Sequence, residues 1–225
     1  MIASDALPGL PSAIDEHAYW WNVAGDWVEP PNQRRDGWSG VLRVRHRGEL
    51  VYVKRQRNHL CRTLRHPFGW PTASREWFNL KRLRQLALRG PAPLFHGSVA
   101  RGDAIESVLV TEALHGFAPL NAPRELDARE RTALAGEVGR VLGTMHRARL
   151  QHSCLYDKHI MVRWHRGTPE IALLDLEKMR PRLTRQAAAR HDLDQLSRHQ
   201  SLWSGDEWQL LLLSHAEALN RRTDA

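Results

Sequence analysis

HSCLYDKHIMV, residues 152–162, and IALLDLEK, residues 171–178, decide how this chain folds. Ile160–Trp164 and Ile171–Leu174 are short apolar runs joined through the WHRGTPE turn, the pattern of a β-hairpin. Such a hairpin holds His159 at its entrance and Asp175 at its exit, side by side although 175 − 159 = 16 positions apart. An oxygen from Asp175 and a nitrogen from His159 could then share a divalent cation carried by ATP. Two plainer readings stay open: Asp175 caps the turn after a strand, and His159 holds the loop or meets a phosphate.

Upstream, GVLRVRHRGELVYVKRQ reads as another hairpin, Val41–Arg45 and Leu50–Gln56 joined across Gly48. Alternation puts Leu50, Tyr52 and Lys54 on one face and Val51 with Val53 on the other. Before it, RRDGWSG carries Gly37 and Gly40, which would let backbone N–H groups approach a phosphate; an ordinary turn accounts for them equally. SREWFNLKRLRQLAL, residues 74–88, has Glu76, Leu80, Leu83 and Ala87 on one helical stripe, stopped by Gly90 and Pro91. A glutamate on an apolar stripe needs a partner, and Lys54 on the preceding strand is the candidate. Pro93–His96 and Ala104–Val110 extend the sheet, and Leu120–Glu130 is polar and loop-like. A helix follows over Arg129–Arg149, with Leu134, Val138, Val141, Leu142 and Met145 as its buried stripe. His146 on that helix is a candidate to hold the 152–159 loop by a hydrogen bond. Arg185–Leu219 is mostly helical, broken near Trp203 and Gly205. Trp20, Trp21 and Trp27, in a Pro-bounded opening, are candidates for a binding surface.

The 225 residues, 42% hydrophobic, can bury a sizeable core. Lys and Arg exceed Asp and Glu by 33 − 25 = +8, which favours anionic partners without choosing among them. The segment Lys54–Arg65 is expected to contribute a positive patch for a phosphorylated substrate or an anionic membrane face. Nucleic acid is the less favoured partner. Two cysteines, Cys61 and Cys154, make no disulfide framework, and no basic segment leads into an apolar stretch at the N-terminus. The expected location is cytoplasmic, with peripheral contact at the inner membrane open. There is no Walker-type phosphate loop and no paired Cys/His zinc pattern.

With the Lys54 strand, Glu76, HSCLYDKHIMV and LLDLEK in view, the chain resembles the lipopolysaccharide kinase (Kdo/WaaP) family and most closely its InaA-like branch. The resemblance implies an α+β, two-lobed protein-kinase-like fold: a small antiparallel-sheet lobe over residues 1–115 and a shortened, mainly helical lobe over 116–225. It also implies ATP and Mg2+ as cofactors and a phosphorylated envelope sugar or lipid-linked acceptor. Lys54 would hold the ATP phosphates, Glu76 would pair with Lys54, and Asp175 with His159 would bind the metal. Gly37, Gly40 and Glu112 join Lys54 and His159 as nucleotide contacts. The family's catalytic loop has histidine, any residue, aspartate, leucine, tyrosine, any two residues and histidine, which falls on His152 to His159. Cys154 stands where the proton-accepting aspartate belongs, and Asp157, three positions on, is the candidate substitute. Three readings of Cys154 remain: a residue in an impaired, pseudokinase-type site that binds a nucleotide or partner in a stress response, a small buried residue, or a nucleophile with His152 or His159 as base.

Overall fold

The computed structural model describes residues 13–34 and 37–221. Residues 1–12 and the Arg35–Asp36 part of the RRDGWSG turn lie outside the described residues. The chain divides into two units, residues 1–74 with 93–113, and residues 75–92 with 114–225.

The first unit opens with helix α1 (Ala13–Asn22), followed by strands β1 (Asp26–Arg34), β2 (Gly37–His46) and β3 (Glu49–Arg57). A small hairpin comes next, β4 (Leu60–Thr63) and β5 (His66–Pro71). After helix α2 (Thr72–Gln85), which continues into the second unit, strands β6 (Pro93–Arg101) and β7 (Ala104–Glu112) complete the sheet. Its order is β1-β2-β3-β7-β6, antiparallel throughout. The period-two pattern of β3 works as the sequence suggests: Val51 and Val53 are buried, and Lys54 is half-buried. Val51 and Val53 pack with Leu42, Val44, Val108, Val110 and Trp20 of α1. Arg55 donates to the carbonyls of Trp20 and Val23, which satisfies acceptors left open at the end of α1.

Two expectations need correction in this unit. Trp20 does not line a surface: it is 5% exposed and belongs to the sheet core, because α1 lays it on the apolar face of β2 and β3. The Pro-rich opening also contains an unanticipated strand, β1, at the sheet edge. Its register with β2 is irregular from Trp27 to Asn32, and an edge strand with such irregularities can accommodate Pro30 and Pro31.

The second unit is built on α3 (Ala128–Arg147), capped by a reciprocal pair in which Asp127 accepts from Glu130 N–H and Glu130 from Asp127 N–H. The two-residue strand β8 (Ala118–Pro119) pairs with the hairpin of β10 (Ile160–His165) and β11 (Thr168–Leu173), while β9 (Leu150–Gln151) and β12 (Arg180–Pro181) pair with each other. Helices α4 (Arg185–His199) and α5 (Gly205–Asn220) are the last described elements. Leu134, Val138, Leu142 and Met145 form the buried stripe of α3 as expected. Gly139 and Gly143, one turn apart on α3, lie where a Cβ would collide with the Leu211 and His215 backbone of α5. That close crossing sets His215 against His146. Ala87, expected on the buried stripe of α2, is instead exposed with φ 54° in the turn after the helix.

Candidate active site

In the second unit, the chain leaving α3 runs through His152–His159 into β10, and the chain leaving β11 turns at Asp175. The β10–β11 register pairs Ile160 with Leu173, so the residues just outside that pair meet. His159 Nε2 lies 3.7 Å from Asp175 Oδ2. His159 Nδ1 is 2.7 Å from the Cys154 carbonyl, which can only accept, so the ring proton sits on Nδ1. With that single ring proton, the Nε2 lone pair faces the carboxylate. In that form two acceptors converge, an arrangement that suits a cation. Asp175 itself has φ 57° and ψ 58°, a left-handed conformation that costs a non-glycine residue of order 1 kcal/mol or more and turns its carboxylate out of the strand path. The 3-10 turn Leu176–Lys178 follows directly.

The loop backbone is fixed from beneath by α4. Asp192, fully buried, accepts from the His152 N–H at 2.5 Å and the Ser153 N–H at 2.9 Å. One turn along α4, Gln195 Oε1 accepts from the Leu155 N–H at 2.9 Å. Ser153 also sits in the left-handed region, φ 71°, which lets consecutive amides point at one carboxylate. Burial pushes the Asp192 carboxyl up, but the hydrogen bond and charge of His146, the charge of His152 and the Ser153 N–H outweigh it and hold it below the ordinary range. His146 therefore serves the loop through Asp192, donating from Nε2 at 3.2 Å, while its Nδ1 meets His215 Nε2 at 2.8 Å. His152 is also buried, and burial lowers its pKa despite Asp192 and Asp175 nearby. Its Nε2–H donates to the Leu174 carbonyl at 2.8 Å and ties the two halves of the site together.

Around Cys154 the arrangement differs. The side chain is buried, and its sulfur takes a 3.4 Å contact from Lys178 Nζ. Neither imidazole considered as its base is engaged with the thiol: His152 Nε2 serves Leu174, and His159 Nδ1 serves the Cys154 carbonyl. Asp157 begins a 3-10 turn and uses Oδ1 to accept from Lys158 N–H at 2.7 Å.

Glu76 lies on α2 and is 9% exposed. The helix is fastened to the Asp175 turn by Asn79, whose Nδ2 donates to the Leu176 and Met179 carbonyls at 2.8 and 2.9 Å, and by Arg75 to the Glu177 carbonyl. In the first unit, Lys54 lies on β3 opposite Val41 and Leu109. Glu112 ends β7 opposite Val51. Gly37 and Gly40 leave room for the Arg57 and Asn58 carbonyls and for the Trp27 ring.

The family model described as the lipopolysaccharide kinase (Kdo/WaaP) family matches residues 18–214. The chain belongs to that family. Protein InaA of Escherichia coli (strain K12) is 37% identical over 201 residues, covering 87% of this chain and 93% of the relative. A solved structure of WaaP in complex with acyl carrier protein superposes with TM-score 0.71 at 20% identity, over 90% of this chain and 83% of that one. The Rio2 kinase of Chaetomium thermophilum, solved as an ADP/Mg2+-phosphoaspartate complex, gives TM-score 0.56 at 13% identity, over 92% and 72%. The fold is accordingly kinase-like, with an antiparallel-sheet lobe and a helical lobe. Set on the family's loop pattern, the structure adds three positions that sequence reasoning missed: Asp192, Gln195 and Lys178. A polar pair at i and i+3 among Ala188, Ala189 and Leu196 on a buried helix face was the available signal for the first two. Lys178 gave none, since its contact with Cys154 closes a gap of 178 − 154 = 24 residues.

Proposed function

We propose that this chain is an ATP-dependent phosphotransferase acting on a hydroxyl of a lipopolysaccharide-type sugar or a related small molecule. The observation that carries the reading is the juxtaposition of His159 Nε2 and Asp175 Oδ2, 3.7 Å apart beside a loop whose backbone amides are held by α4. Magnesium in phosphotransferases is commonly held by one or two carboxylates and completed by substrate phosphates. Asp175 supplies one such carboxylate, with the softer His159 nitrogen beside it, and among the described residues no group of three or more His, Cys, Asp or Glu is placed to hold a metal alone. When bound, Mg2+ would neutralise charge on the transferring phosphates. In this reading Lys54 holds ATP phosphate, Glu76 orients Lys54, and Gly37, Gly40 and Glu112 contribute nucleotide contacts. Asp157 would accept the acceptor's proton, using the oxygen not occupied by Lys158 N–H. The cytoplasmic side of the envelope, where ATP is present, is the proposed location. Among the described residues, no helix is long and apolar enough to cross a membrane.

A specific observation favours a second reading, a catalytically impaired member that binds a nucleotide or partner. At the proton-acceptor position the chain places a thiol in contact with an ammonium, and an ammonium cannot take a proton from a hydroxyl. Titration calorimetry with ATP separates both readings from a chain that has lost the nucleotide altogether. The expected result is Mg2+-dependent binding, weakened at least about tenfold by Lys54→Met and by Asp175→Asn, the cost of one charge-assisted contact. Binding that ignores Mg2+ and both substitutions would overturn the nucleotide assignment.

A further inference from the structure

The β4–β5 hairpin takes no part in the chemistry above, and its solvent exposure is unusual. Leu64, at its two-residue turn, is 103% exposed and Phe68, on β5, is 96% exposed, the highest values for large apolar side chains among the described residues. Single exposed large apolar residues are ordinary on protein surfaces; two fully exposed ones on a single arm are not.

The arm is built, with a fixed root. Thr72 N–H donates to the His59 carbonyl at 3.1 Å, and the buried Gln56 Oε1 accepts from Thr72 Oγ1 at 3.0 Å and Ala73 N–H at 2.8 Å. Asn58 and Ile105 exchange two further bonds, 2.9 and 2.8 Å. Midway along, Cys61 Sγ contacts the Trp70 carbonyl at 3.3 Å, and the His66 and Trp70 rings stack at 4.7 Å. Tertiary structure therefore holds the tip outwards.

Its charge has one sign. No Asp or Glu occurs between Glu49 and Glu76, whereas Arg62 and Arg65 flank Leu64 and are exposed. Arg57, at the end of β3, adds a third exposed guanidinium near the root.

We propose that this hairpin docks on an anionic phospholipid bilayer, with Leu64 and Phe68 entering the headgroup–acyl boundary and Arg62 and Arg65 on lipid phosphates. Guanidinium groups bind phosphate oxygens through paired N–H donors, and apolar side chains between them reach the depth at which interfacial elements bury their apolar face. A protein partner fits less well. Strands of four and six residues offer little of the ~800 Å2 that each side of a stable protein interface buries. Pro67 removes an N–H from the β5 edge, so strand addition there is interrupted. The proposal goes beyond the phosphotransfer reading and does not depend on it: a membrane-docked pseudokinase would use the same arm.

Co-sedimentation of the full chain with vesicles tests it. Phosphatidylcholine vesicles containing phosphatidylglycerol should bind the protein, and pure phosphatidylcholine vesicles should bind it at least about tenfold more weakly, since each basic residue near an anionic surface contributes roughly fivefold. Leu64→Ser with Phe68→Ser, and separately Arg62→Glu with Arg65→Glu, should each weaken binding to the anionic vesicles about tenfold or more, with far-ultraviolet circular dichroism unchanged. Equal binding to both vesicle types overturns the proposal. So does anionic-vesicle binding untouched by the Leu64/Phe68 pair, which would place the contact elsewhere. No vesicle binding, combined with hairpin-dependent binding to a purified acidic protein, would also overturn it and assign the arm to a protein partner.

Discussion

The loop at 152–159 and the hairpin at 60–71 invert the usual distribution of residues in opposite senses. Beneath the loop, the Asp192 carboxylate of α4, which sequence habit places in water, is fully buried, yet its hydrogen bonds are met by two amides and the imidazoles of His146 and His191. In the hairpin, Leu64 and Phe68, which habit places inside, are held in solvent. Buried charge and exposed large apolar groups are the observations that carry information. The first costs stability unless every partner is present, and the second contributes almost none to the isolated fold. Their mutational responses should therefore differ sharply.

The largest effect belongs to Asp192. Asp192→Ala leaves the His152 and Ser153 amides and His146 without their common acceptor, and removal of one member of a buried charged network costs about 3–5 kcal/mol. Urea unfolding followed by circular dichroism should show that loss, together with loss of any Mg2+–ATP binding. A change under about 1 kcal/mol would mean the loop is held by Gln195 and packing instead.

Next comes pH. Burial, followed by the positive charge of His146, pushes His215 down to about 4. An unfolded histidine titrates near 6.5, so this residue's contribution is whole above pH 6.5 and declines as pH falls from there to about 4, below which it is flat. The span amounts to at most about 3 kcal/mol. His215→Gln should flatten that part of the profile of unfolding free energy. A slope between pH 6.5 and 4 unchanged by the substitution would assign the acid sensitivity to other groups.

The smallest effect is expected at the hairpin tip. Leu64→Ser with Phe68→Ser should alter unfolding free energy by no more than about 0.5 kcal/mol, as for surface positions without buried contacts. A loss of 2 kcal/mol or more, on the scale of about 1.5–3 kcal/mol for one buried side chain, would show that the arm packs against something in solution.

Much of the fold was legible in the sequence because its elements alternate or repeat cleanly. β3 reads from Val51 and Val53, α3 from Leu134 to Met145, and the β10–β11 hairpin from two apolar runs around a Gly-containing turn. That hairpin also makes the proximity of His159 and Asp175 readable, since register fixes what stands at its two ends. Other parts follow no periodic rule. β4 and β5, LCRTLRHPFGWP, carry two prolines and expose their apolar residues, so neither alternation nor burial marks them. β1 is obscured by Pro30 and Pro31, which an edge position tolerates. Asp192, within RHDLDQLSRH, looks like one more surface charge until α4 turns it towards the loop. Trp20 joins the core only because α1 lies on the sheet. The Lys178–Cys154 contact depends on the turn after Asp175, and a left-handed aspartate is not encoded in any local pattern.

The central claim is that the 152–178 region is a phosphotransfer scaffold whose proton-acceptor position alone has been altered. Its most direct test is transfer of γ-phosphate from ATP–Mg2+ to a panel of lipopolysaccharide sugars by the native chain and by Cys154→Asp. The account predicts that Cys154→Asp raises turnover by roughly a hundredfold, the lower range of general acid–base contributions, and that Asp175→Asn in the same background abolishes the gain. Cys154→Asp protein that folds and binds ATP–Mg2+, yet transfers no more phosphate than the native chain, would contradict it.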